Sequence, residues 1–165
     1  MNDALPRLAD LLDREIEAGT RLLSALDHER AVLAGTDAGA LEDAVAAKER
    51  LLAEFDALEA DRRRALATLG HGADRVGMAD CLRRHEDPAY TDDTPRPGPL
   101  AARWRRLLAV VAQLRDANER NGTIASLRSR RVREALNVLR TGRPDELTYG
   151  PARPGAPARR AIGRA

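Results

Sequence analysis

The stretch GTDAG, residues 35–39, separates two runs of sequence that read alike. Upstream, Leu5, Leu8, Leu12, Glu15, Gly19, Leu22, Leu26, Glu29 and Leu33 recur at alternating spacings of three and four, and Leu11, Ile16 and Leu23 widen the stripe. Downstream, Leu41, Ala44, Lys48, Leu51, Phe55, Leu58, Arg62, Ala65 and Leu69 repeat the alternation. Such spacing marks the seam along which helices pack, here weakened at Glu15, Gly19 and Glu29. Gly35 is suited to end one helix, and Thr36 or Asp37 to cap the next. A connection this short forces the flanking helices into an antiparallel hairpin. The spacing predicts helices over about 3–34 and 37–69, each roughly 50 Å long at ~1.5 Å per residue. Pro6 lies in the first turn, where its missing N–H is tolerated.

Beyond the hairpin, Gly70, Gly72 and Gly77 loosen the chain. Residues 78–86 have the makings of two helical turns, and 87–99 read as a loop rich in proline. Residues 70–98 are therefore expected to be flexible. A third long helix is predicted from Pro99 to about residue 140, stopped by Thr141-Gly142 with Pro144 behind it. The expected fold is all-α: an elongated antiparallel three-helix bundle over residues 1–142. A tail over 143–165, made largely of Pro, Gly, Ala and Arg, cannot bury enough surface to offset ordering and is expected to be disordered. Tyr149 is the one large side chain in it.

Composition narrows the function. Aromatics are 2% of 165 residues, which argues against a thick core and for narrow seams between long helices. The formal net charge is +2, unevenly spread: residues 1–99 carry −8 and residues 100–165 carry +10. A basic C-terminal third suits nucleic acid, an acidic membrane surface or an acidic protein, and equally suits the acidic first two thirds of the same chain. Cys81 is the only cysteine, so no internal disulfide forms. The N-terminus has neither a signal peptide's pattern nor a membrane span's, so a cytoplasmic location is expected. No phosphate loop or nucleophile elbow occurs, and the carboxylates are spaced as solvated helix faces. His71, Cys81 and His85 are the soft metal-ligand candidates. Cys81 and His85 stand one turn apart if 78–86 is helical, but nothing in the sequence completes a zinc site. No enzyme, cofactor or metal is expected.

The most informative helix is interrupted. Residues 118–142 read NERNGTIASLRSRRVREALNVLRTG, and Asn118, Asn121 and Ala125 continue the alternation that Val111 and Leu114 begin. An Asn in an apolar seam costs stability but fixes register, because a slipped partner leaves its amide unpaired. Gly122 costs about 1 kcal/mol relative to Ala in a helix interior, yet permits close backbone approach. Beyond it, Ile124, Leu127, Ala135, Val138 and Leu139 share a broad arc in which Arg128 and Arg131 are embedded, and Val132 and Leu136 extend one side. That arc either finishes the bundle core or offers a groove to an amphipathic partner helix with acidic groups. The residues alone leave both readings open.

The string from Asn118 to Gly150 resembles the C-terminal signature of the FlgN-type flagellar export chaperones. The pattern is N-x-x-N-G, a helix ending in A-L-x-x-L, then Tyr-Gly; Asn118, Asn121, Gly122, Ala135, Leu136, Leu139, Tyr149 and Gly150 match it. Leu8, Leu11, Leu12 and Glu15, the GTD break, Lys48 with Leu51 and Leu52, and Trp104 fit the upstream pattern. The resemblance implies a cytoplasmic type III export chaperone that holds hook-associated, hook–filament junction subunits before secretion. It implies a client site on the last half of the third helix: Asn118, Asn121, Gly122, Ile124, Leu127, Arg128, Arg131, Ala135, Leu136 and Leu139. It further implies that Tyr149 and Gly150 dock on the cytoplasmic domain of the export gate, although a lone tail aromatic needs no special role. No nucleic acid and no membrane insertion are expected; a homodimer through the stripe is open. The rival readings are a basic helical nucleic-acid-binding protein, which would show steep salt dependence, and a coiled-coil scaffold that self-associates.

Overall fold

The computed structural model describes residues 3–91 and 93–141. The described chain is all-helical: α1 (Ala4–Leu33), α2 (Ala38–Thr68), α3 (Arg75–His85) and α4 (Pro99–Thr141). It divides into two units, Met1–Leu127 and a second beginning at Arg128, with α4 running through the boundary. Tyr149 and Gly150, and the predicted disordered tail, lie outside the described residues.

Local chemistry sets the helix ends. Of the two candidate caps in the GTDAG break, Asp37 is the one used: its carboxylate accepts the Ala40 N–H at 3.0 Å. At the end of α2 the chain closes a Schellman motif. Gly70 N–H donates to Ala67 O and His71 N–H to Leu66 O, both at 3.0 Å. This closure needs a left-handed residue, and Gly70 supplies it at φ 80°. Asp74 caps α3 through Gly77 N–H at 2.8 Å. The start of α4 is capped from a distance: Glu86 accepts the N–H groups of Leu100 at 2.7 Å and Ala101 at 2.8 Å. A carboxylate there satisfies two orphan donors and meets the positive end of the helix.

Cross-helix pairs in the first unit give the directions. Glu15–Arg62, Arg21–Glu54 and Glu29–Lys48 link α1 to α2, and as the α1 number rises the α2 number falls. The two helices are antiparallel in one register. Between α1 and α4, Asp13 meets Arg103 and Glu29 meets Asn121, separations of 90 and 92 residues. A near-constant offset means that α4 runs the same way as α1, and the segment carrying α3 joins the end of α2 to the start of α4 at the same end of the helix pair.

That joining segment is not the loose connection its glycines and prolines suggest. Met78, Cys81 and Leu82 of α3 are buried, and so is Tyr90. They join Leu8, Leu12, Leu66, Leu100 and Trp104 in one cluster, so the core is thicker at this end than a narrow seam would be. Arg105 holds the loop down: its guanidinium donates to Thr94 O at 2.6 Å and Thr91 O at 2.9 Å, and it lies over the Tyr90 ring.

Candidate functional site

The polar residues that weaken the seams are the ones with specific partners. Arg62 Nε donates to Glu15 Oε2 at 2.7 Å, with both side chains buried, and its guanidinium lies 5.2 Å from the centre of the Trp104 ring. One arginine thereby ties α2 to α1 and α4. Burial pushes the Glu15 carboxyl above its ordinary range, and the Arg62 charge and hydrogen bond pull it back. A second lock lies further along. Glu29 accepts from Lys48 Nζ at 2.5 Å and from Asn121 Nδ2 at 2.8 Å, and Asn121 also donates to Leu26 O at 2.8 Å. Gly19 sits between the locks, where a Cβ would fall 2.6 Å from Val110 Cγ1 and 3.2 Å from Phe55 Cε2.

This geometry redistributes the residues expected to bind a client. Asn121 is turned inward, buried and bonded to α1. Asn118 and Ala125, expected beside it in the seam, are exposed; Ala117 is buried instead, and Ile124 is half-buried. The inward face here runs through Ala117, Asn121 and Ile124, spaced four and three apart on one side of the helix, while Asn118 lines a groove with Val111 and Leu114. Gly122 is exposed, and a Cβ there would have nothing within 4 Å, so no backbone approaches it closely.

From Leu127 onward the helix shows apolar side chains to solvent. Leu127 is exposed, Val132 is 52%, Leu136 59% and Leu139 83% exposed, and Val138 is exposed as well. Arg131 and Ala135 are exposed beside them, and Arg128 is half-buried.

Two further features emerge in the first unit. A groove of about 310 Å³ is lined by Leu22, Leu26, Lys48, Leu52, Phe55, Val111, Leu114 and Asn118, among others. The seam spacing placed Phe55, Val111 and Leu114 in the core and gave no sign of an opening; only Leu52, a leucine outside the alternation, hinted at apolar surface there. His71, Cys81 and His85 also come together, each with a donor atom within 4.8 Å of the others. Burial pushes the Cys81 thiol up to about 11, which makes it inert as a nucleophile. Burial also holds His71 below its ordinary range, with His85 and Arg84 adding to the effect.

The order of these elements has a counterpart among known proteins. The profile of the FlgN protein family matches residues 1–153. The chain belongs to the FlgN family. No curated protein and no solved structure matches it. FlgN proteins are chaperones of flagellar export, a family of binding proteins and not of enzymes. Their general partners are the flagellar hook-associated proteins. Among the described residues no helix is long and apolar enough to cross a membrane.

Proposed function

We propose that this FlgN-family chain holds hook–filament junction subunits through the end of α4, prevents their premature assembly and delivers them to the flagellar type III export gate. The client strip is Ile124, Leu127, Arg128, Arg131, Ala135, Leu136 and Leu139. Asn118, Asn121 and Gly122 mark its inner border, where Asn121 fastens α4 to α1. The reading rests on one observation above the rest: a row of aliphatic side chains left in solvent near the end of a well-formed helix. Isolated exposed leucines need no explanation, but a continuous arc of them fits an interaction surface. Arginines within the arc suit a helical partner with acidic groups, and an amphipathic client helix would read it at intervals of three and four. Tyr149-Gly150 is the proposed contact with the cytoplasmic domain of the gate, a reading carried by the family pattern alone.

The test is co-purification from the host cytosol, comparing the full chain with one ending at Leu127. Junction subunits recovered with the full chain only would support the reading. Recovery of nucleic acid, lost at moderate salt, would favour the basic-face alternative instead. A stable dimer that dissociates when the strip is made polar would identify a second copy of the chain as its occupant. Replacing Tyr149 by Ala should leave client binding intact and lower secretion of the bound subunit; normal secretion would remove the docking role.

A further inference from the structure

His71, Cys81 and His85 converge at the turn from α2 into α3. Cys81 and His85 are four residues apart on α3, so one helical turn stacks them on one face. His71 reaches them from the preceding turn, and its position is built by backbone. The Schellman closure through Gly70 fixes its N–H on Leu66 O. The turn then presses against the first residues of α3 so closely that a Cβ on Gly77 would lie 2.0 Å from Gly72 O. Asp74 secures the same contact by accepting the Gly77 N–H. Two glycines and a cap thus bring a histidine from one element onto a Cys–His pair of another. The floor of the cluster is dry, since Cys81 is fully buried, and the mouth is open, since His85 is exposed. Nε2 of His71 is shut from solvent and has no hydrogen-bond partner. A buried polar atom in that condition is costly unless something else occupies it.

We propose that His71, Cys81 and His85 form a zinc site with its fourth position open to water. Imidazole and thiolate are the ligands zinc prefers, whereas magnesium and calcium need oxygen donors. Zinc–ligand lengths of about 2.0–2.3 Å place tetrahedral donors roughly 3.5 Å apart, so the three must draw in by about 1 Å. Rotation of the exposed His85 side chain supplies much of that. On binding, the Cys81 thiol releases its proton to solvent as the zinc–sulfur bond forms. The ion then ties the α2 turn to α3, and the inference does not depend on the chaperone reading.

The test uses the untagged full chain, stripped with chelator and titrated first with cobalt(II) and then with zinc. Cobalt should give a thiolate-to-metal charge-transfer absorption and tetrahedral d–d bands, and equimolar zinc should erase both. Cys81→Ser should lose the charge-transfer band. His85→Ala, which leaves the core untouched, should lose zinc in competition with a chromophoric chelator that the unaltered protein outcompetes. Absence of a charge-transfer band, or zinc retained equally by His85→Ala, would overturn the site. Should Cys81→Ser fail to fold, His85→Ala decides alone.

Discussion

Two stretches of α4 are built from the same residue types and meet opposite fates. Before Leu127 the helix buries Trp104, Leu107, Ala117 and Asn121. After it, Val132, Leu136, Val138 and Leu139 are left in solvent. The presence of leucine and valine does not separate them, for both stretches carry these residues at helical spacing. What marks the buried stretch is a set of polar partners on other helices. Where α4 packs, Arg62 stacks on Trp104 and Asn121 bonds to Glu29 and Leu26. In a bundle of leucines and alanines, apolar contacts tolerate sliding, and a few polar contacts choose one alignment. Beyond Leu127 the exposed leucines and valines form an apolar face whose alignment another molecule can set.

The comparison breaks most severely at Arg62. Arg62→Leu leaves Glu15 buried beside Trp104 without its counter-charge, and should lower stability by about 3–5 kcal/mol at neutral pH. The sign of the pH dependence follows from the raised Glu15 pKa. The folded state holds that proton at a pH where the unfolded chain has released it, so stability is lost as pH rises and regained on acidification. The variant should exaggerate this, and urea melts at pH 5 and pH 8 would read it. Equal losses at both would mean that Glu15 is not the group left stranded. The second lock is worth less. Asn121→Ala removes a hydrogen bond to a carboxylate and should cost about 2 kcal/mol, seen as a lower melting temperature. Gly19→Ala gains about 1 kcal/mol in helix propensity but drives a methyl into Val110, for a net loss of about 1 kcal/mol.

Much of this was legible in the residues. The GTDAG break lies between two seams of one period, and Asn121 stood out as an alignment device because an amide in an apolar stripe has few other uses. Its neighbours were not legible in the same way: the three-four alternation puts Asn118 and Ala125 in a seam that Ala117 and Ile124 occupy, because spacing alone does not say which side of the helix a neighbour covers. The burial of α3 was hidden by composition. Gly72 and Gly77 look like looseness in a sequence and act as a close contact in space. His71, Cys81 and His85 stood out as candidate ligands, but their convergence was not legible, because His71 arrives through a turn geometry that spacing does not encode. Glu15 and Glu29 were visible as weak points of the first seam, and Arg62 stood in the second; that they pair with residues on other helices was not legible.

The mildest change to the fold sharpens the comparison most. Leu136→Gln together with Leu139→Gln replaces two exposed leucines by residues of nearly equal helix propensity. Neither side chain is buried, so the stability of the chain should stay within about 0.5 kcal/mol of the original. A surface that serves only the bundle would show nothing further. A surface that holds a client helix would lose two apolar anchors, and co-purified hook-associated protein should fall by roughly tenfold or more, since each lost anchor in a helix-in-groove contact costs on the order of 1 kcal/mol or above. The decisive quantity is the gap between the two readouts. Unchanged melting with lost binding places the client on the exposed arc. Lost melting with unchanged binding returns those leucines to the fold and moves the client elsewhere, with the groove beside Phe55 and Leu114 the next surface to alter.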